Sequence, residues 1–526
     1  MSDPTNDHRT PVEPYYADFP EQESPLDHAD DAPEEDLRRP RKLKKAAIAG
    51  ARVVTGVLGI VVAAGTIAAA TFLPLPNVES SAPSAVITPI ATDQQLVCPG
   101  ALLRLSDASG AGASTASALG AAGITAGASP GSVGATPFAA TEAGTGGTAA
   151  APHVLTAPAP ATADEPTPLV SGAQAEVAAA GGVTGLTASA CVVATGDTWL
   201  VGGATTTGRT TLVTLSNPSE VAATVDLEIF GEQGAVTSPG LGGITVQPGS
   251  QNVLSLAGFA PQLVSPVVHV TSRGGLVVAN LQQTITRGIE SGGSEVVDAS
   301  AAPRTLNVIP GMFISNTATV GSRLGEDGFE DLATVLRMYV PGDTDTTAEV
   351  SVLSEDGTTP GTNFTIDVAA GVVTQVPIEE LVDGKYTVTV RTDQPAVAGV
   401  RLSNAAPAEA GGLTDFAWLS GAAELTTDTL LSTPASVVND LHLYNSGDAD
   451  TVMTITPVVD GVDGVPASVT VLAGTAATVP LSSTSSYRLS GFTSLHASVS
   501  SFLGSGIAGY AVVPPAESSA DIRIFP

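Results

Sequence analysis

Three times along this chain an apolar run, a short polar turn and a strand of alternating residues follow one another. The copies are LSNPSEVAATVDLEIFGEQG at 215–234, MYVPGDTDTTAEVSVLSEDG at 338–357 and LYNSGDADTVMTITPVVDG at 443–461. In the first, Val225, Leu227 and Ile229 share one face while Thr224, Asp226 and Glu228 share the other. Ala348, Val350 and Val352 alternate with Glu349 and Ser351 in the second, and Met453 and Ile455 hold the same places in the third. Period two with one apolar face is the pattern of a half-buried strand. Asn217-Pro218 therefore reads as the bend of a hairpin, not as part of an active-site loop. The likeness runs on through ITVQPGSQNVLSL, FTIDVAAGVVTQVPI and SVTVLAGTAATVPL, each a strand, a Gly-containing turn and a second strand. Trp199-Leu200 before the first copy also resembles Trp418-Leu419 before the third. Six or seven short strands per unit predict an all-β fold of tandem immunoglobulin-like β-sandwiches, at 192–300, 301–417 and 418–526.

The N-terminal part has a different chemistry. Residues 1–45 are polar, Pro-rich and acidic, with nothing to build a core, and read as a disordered cytoplasmic tail. Arg38, Arg39, Arg41, Lys42, Lys44 and Lys45 then precede an uncharged run, Val53 to Leu73. As a helix that run spans roughly 32 Å, enough to cross a bilayer. A cleaved signal peptide is the alternative, and Ala68-Ala69-Ala70 resembles a cleavage site. The basic cluster predicts an uncleaved signal-anchor, a transmembrane helix within 46–73 with the N-terminus cytoplasmic and the C-terminus extracellular. Residues 74–96 read as a stalk.

From Pro74 onward the sequence holds twelve Arg and Lys against forty Asp and Glu, and Lys385 is the single lysine. With a net charge of −32 for the whole chain, nucleic acid is excluded as a partner, because phosphate binding needs clustered cations. Cys98 and Cys191 are the two cysteines, both in the exported part, and an even count there predicts one structural disulfide. Neither has a nearby His for a zinc site, and there is no C-x-x-C pair for redox chemistry. Within the segment 97–191 the stretch from Ser106 to Leu169 is low in large apolar residues and reads as a flexible, low-complexity insertion.

No catalytic grouping stands out. Gly127-Ala128-Ser129-Pro130-Gly131 spells a nucleophile elbow but lies in low-complexity sequence. Gly504 to Gly509 fits G-x-G-x-x-G, yet a strand ending at prolines follows where a phosphate site needs a helix. His269, His442 and His496 sit in predicted strands without a second ligand at metal spacing. The acidic loops carry the one metal candidate: Glu326, Asp327, Glu330, Asp331, Asp343 and Asp345 could supply oxygens to calcium, although the EF-hand spacing is not met. No other cofactor is expected.

The stretch WLVGGATTTGRTTLVTLSNPSEVAATVDLEIFGEQG resembles an actinobacterial family of single-pass exported proteins, domain of unknown function 5719. The features that carry this are Val97-Cys98-Pro99-Gly100, Cys191 ahead of Trp199, Gly202-Gly203, Gly208-Arg209, the Asn217-Pro218 turn and VVHVTSRGGLVVANLQQ. The resemblance covers about 95–526 and implies an actinobacterial cell surface and a membrane anchor. It brings no activity and no site residues. Three functions stay open: a non-catalytic membrane-anchored envelope protein that binds or scaffolds cell-wall polymer or envelope proteins; an accessory subunit of an envelope-biosynthesis or export complex; and a carbohydrate-active enzyme, which requires two opposed carboxylates.

Overall fold

Asn217 explains why the recurring turn recurs. Its side-chain amide donates to the carbonyls of Val221 and Val246, and its Oδ1 accepts the Ser219 N–H. Asn445 does the same in the third copy, to Ala449, Val471 and Gly447. One Asn thus satisfies a bend between two layers of a sandwich. The bend does not close the expected hairpin, because Arg209–Asn217 and Ala223–Gly231 pair in different sheets, as do Val438–Tyr444 and Thr451–Val459.

The computed structural model describes residues 57–66, 85–87, 92–105, 116–141, 151–162, 165–407, 412–515 and 522–524. The chain divides into two units, Met1–Ser84 and Ala85–Pro526. In the first, 57–66 form a helix whose residues are exposed. Among the described residues no helix is long and apolar enough to cross a membrane. The expected cytoplasmic tail, the rest of the apolar run and stalk residues 74–84 and 88–91 lie outside the described residues.

The second unit is mostly β. Its first sandwich has eight principal strands: Asp197–Val201, Arg209–Asn217, Ala223–Gly231, Ile244–Val246, Ser250–Ser255, Val267–Arg273, Val278–Arg287 and Glu290–Val297. By order along the chain, strands one, six, three and four make one sheet, and eight, seven, two and five make the other. The second sandwich repeats this order, with its sixth and seventh strands fused into the 22-residue strand Gly384–Ala405. The third repeats it again, from Thr429–Thr433 to Gly506–Ala511.

Four expectations are corrected. The strand Thr414–Ser420 straddles the expected boundary at 417/418 but pairs with Gly384–Ala405 and closes the second sandwich. Trp418 therefore sits in an eighth strand and Trp199 in a first, so the two Trp-Leu pairs are not equivalent. The low-complexity insertion also contains ordered strands, among them Gly123–Ser129, Gly134–Pro137 and His153–Ala157, and the hairpin Leu169–Ala180/Val183–Ala190 follows it. Small residues suit this packing: a Cβ on Gly172 would lie 2.3 Å from Leu155 and 2.8 Å from Cys191 Sγ. The segment needs no large core of its own, because Ala173, Leu186, Ala188 and Ala190 are buried in the core of the third sandwich. The stalk is also shorter than expected, since Gln94–Cys98 is a strand paired with His153–Ala157.

Four strands meet at the centre: Val183–Ala190 and the eighth strand of each sandwich, each packed against the next. Asp415 joins them. Its Oδ2 accepts the N–H of Leu186 at 2.8 Å and of Ile507 at 3.1 Å, and its Oδ1 accepts that of Ser294 at 3.2 Å. Gly185 and Gly293, both at positive φ, make room, since an added Cβ would fall 2.7 and 2.5 Å from Asp415 Oδ1. Glu295 is buried within reach of the Asp415 charge, and Asp298 is buried on the Ala190 N–H and the Asn280 amide. Burial pushes Asp415 and Asp298 up to about 8, with backbone N–H groups opposing the rise. Glu295 is raised well above the usual range by burial, then by the charges of Asp415 and Asp298.

Two outcomes follow from this junction. Asp415→Ala strips the acceptor from three buried N–H groups at about 1–3 kcal/mol each, so unfolding measurements should show a loss of at least about 3 kcal/mol. The pH dependence has a definite sign. Carboxyls whose folded pKa is raised bind protons more tightly in the native state, so their contribution is full below the unfolded value and is lost as pH rises towards the folded one. The melting temperature should fall between roughly pH 5 and 8, and Asp298→Asn should flatten that slope.

Candidate functional site

A cleft of about 790 Å³ opens between the disulfide-closed segment and the third sandwich. The bond Cys98–Cys191, Cα to Cα 4.2 Å, brings together the two ends of that segment, and Cys191 lines the cleft. Leu169 and Val170 contribute one wall, Leu430 and Leu431 another, and Val512 and Val513 a third. Three hydroxyls in its lining are already engaged. Ser171 Oγ meets Ser432 Oγ at 2.7 Å, Ser432 Oγ meets Ser486 Oγ at 2.9 Å, and the Tyr510 hydroxyl donates to the Ser432 carbonyl at 2.7 Å. Burial raises the Tyr510 pKa far above the usual range for a phenol. Two carboxylates, Glu424 and Asp428, also line the cleft. The leucine and valine walls suit binding of a mainly apolar surface.

The sequence-predicted residues divide differently. The disulfide forms as expected. The calcium candidates are not gathered around one centre: among the described residues no group of three or more His, Cys, Asp and Glu side chains is placed to hold a metal ion. Asp331 is taken by cations, with Arg287 Nη2 at 2.6 Å and Arg209 Nη2 at 2.9 Å. Burial works to raise its pKa, but Arg287, Arg401 and Arg209 hold it below the usual carboxylate range. Glu326 pairs with Arg323, Glu330 accepts the Gly328 N–H, and Asp345 accepts the Ala370 N–H. Asp343 takes the Thr344 hydroxyl, and Asp327 lies in the same loop as Glu326. The apparent nucleophile elbow is a strand, Gly123–Ser129, with no helix behind it. Gly504-to-Gly509 is a turn entering the strand Gly506–Ala511.

One grouping escaped sequence reading. His442 Nδ1 lies 2.5 Å from Glu355 Oε2, and His442 Nε2 lies 2.6 Å from Ser500 Oγ, in the order of a catalytic triad. Glu355 comes from the second sandwich while His442 and Ser500 come from the third, so no spacing within one unit announces it. All three are buried, and neither the cleft nor the smaller pocket described below reaches them. The Gly311 backbone closes the site: its N–H donates to Glu355 Oε1 at 3.2 Å, and a Cβ there would meet His442 at 2.9 Å. Burial tends to raise the Glu355 pKa, but the His442 pairing and the Thr478 and Thr387 hydroxyls outweigh it, leaving the pKa lowered. The group is a lock between two sandwiches, not an exposed nucleophile.

Three measurements test these assignments. A fluorophosphonate probe should leave Ser500 unlabelled, because a buried hydroxyl cannot meet the reagent. A lowered folded pKa gives Glu355 a contribution that is present above its unfolded value and lost on acidification. Glu355→Gln should therefore weaken the acid sensitivity of unfolding below roughly pH 4.5. Reduction of Cys98–Cys191 opens a loop with 92 residues inside it, and should cost about 4–5 kcal/mol in the chain-entropy model, with both thiols alkylating only after reduction.

No match to a curated protein was found. Residues 139–482, more than half of the chain, match the model of a family of unknown function, and the protein thus belongs to the DUF5719 family.

Proposed function

We propose that this is a non-catalytic, membrane-anchored protein of the cell envelope whose β-sandwiches bind or scaffold a wall or protein partner. The observation that carries this reading is the cleft between the disulfide-closed segment and the third sandwich. It has the volume of a binding site, while the Ser171 and Ser432 hydroxyls in its lining bond to each other and the Tyr510 hydroxyl donates to the Ser432 carbonyl. Placement outside an actinobacterial membrane rests on the basic cluster and apolar run at 38–73, and the disulfide fits an oxidising compartment. The sandwiches are immunoglobulin-like in size and two-layer build, with the strand order given above.

Incubating the protein with insoluble cell wall tests this. Saturable binding is expected, unchanged by a calcium chelator because Asp331 and Glu326 are held by arginines. Thr427→Trp, at an exposed position in the cleft lining, should reduce that binding at least tenfold without changing the melting temperature. Absence of binding to wall would move the assignment to an accessory subunit acting on membrane partners.

A further inference from the structure

A second hollow lies at one end of the second sandwich, under the helix Thr317–Leu324, and it differs from the cleft in what lines it. The helix presents Thr317, Val320, Gly321 and Leu324 to a pocket of about 310 Å³. That spacing is one face of a helix, yet none of the helix residues is buried. Hydrogen bonds hold the helix at its ends. Asp383 accepts the N–H groups of Asn316 and Thr317, and the Asn316 side chain donates to Asn404. At the other end Arg323 bonds Glu290, Glu326 and the Gly412 carbonyl. The helix is therefore an arch whose apolar stripe faces a hollow, where a side chain forfeits dispersion contacts.

Polar groups in the hollow are unmatched too. Ser403 is only 5 % exposed and lines the pocket, and its Oγ has no hydrogen-bond partner; the Ser315 Oγ, also in the lining, has none either. Two hydroxyls without partners beside Val320, Leu324, Ile378 and Leu381 describe a site for a molecule with an apolar body and a hydrogen-bonding end. Glu379 and Glu380 lie exposed in the same lining, so a carboxylate or phosphate entering there is repelled. The volume accommodates roughly ten non-hydrogen atoms at about 30 Å³ each.

We propose that this pocket binds an uncharged amphiphile, an aliphatic chain of about eight carbons ending in a hydroxyl, ester or amide, with its polar end on Ser403 and Ser315. The site is separate from the cleft and does not depend on the envelope-binding role proposed above.

The test is photolabelling of the full chain with an eight-carbon alcohol bearing a diazirine, followed by peptide mapping. Saturable labelling is expected within 314–334 and 377–381, displaced by unlabelled octanol and not by octanoate or octylammonium. Gly321→Leu should abolish it, because a Cβ there meets nothing within 4 Å and the larger side chain enters the hollow. Replacing Gly within a helix favours that helix, so this variant keeps the fold. Ser403→Ala should weaken labelling at least fivefold. Unsaturable labelling, labelling confined to 53–73, labelling unchanged in Gly321→Leu, or better displacement by a charged competitor would each overturn the proposal. Absence of labelling would mean that the hollow holds water only.

Discussion

One carboxyl group, Asp415, accepts backbone N–H groups from three strands while standing on a fourth. Everything else about the arrangement of the Ala85–Pro526 unit is consistent with that meeting point. A strand beside it cannot move away without leaving a buried donor unpaired, and a buried unpaired donor is costly. The three sandwiches are therefore not beads on a string. The disulfide-closed segment takes part on equal terms, since it supplies Val183–Ala190 as one of the four strands.

Packing around the junction follows from it. The strand Thr414–Ser420 is buried on both faces. Phe416 and Trp418 enter the first sandwich's core, and Ala417 and Leu419 enter the second's. Buried cations reinforce the seam. Arg337 donates to the carbonyls of Gly203, Pro266 and Val264 and lies 4.4 Å over the Trp418 ring. In a chain with few cations outside its first 73 residues, several stand at this seam and around Asp331, which leaves the surface acidic. Glu355 and His442 tie the second sandwich to the third in the same way. A scaffold locked at its centre can present a cleft and a helical arch at its periphery without either having to hold the fold together.

Legibility varied with the range of the interaction. Alternating faces and the Asn217 and Asn445 bends were readable because period two and turn chemistry act over a few residues, but which strands those bends bring into one sheet was not. The disulfide was readable because only two cysteines exist. Alanine- and glycine-rich strands at 123–190 were not, because their partners are supplied by a sandwich some 250 residues further on, and small residues give no periodic apolar signal. Acidic loops suggested calcium, and the arginines that hold Asp331 (Arg209 and Arg287) come from strands of the first sandwich. The helix Thr317–Leu324 carries an apolar stripe, but no pattern says whether a stripe faces a core or a hollow.

By itself, then, the sequence determined the β class, the threefold repetition, the positions of the recurring bends and the disulfide, since each depends on local backbone chemistry or on simple pairing. That those bends cross between sheets rather than close hairpins was decided by the tertiary structure. Only the tertiary structure decided where one sandwich ends and the next begins, that Asp415 joins four strands, that Glu355, His442 and Ser500 form a buried lock, and where the cleft and the arch lie. Those features arise from contacts between residues far apart in the chain, and burial and hydrogen-bond satisfaction at such contacts depend on the whole arrangement of strands rather than on any short stretch of it.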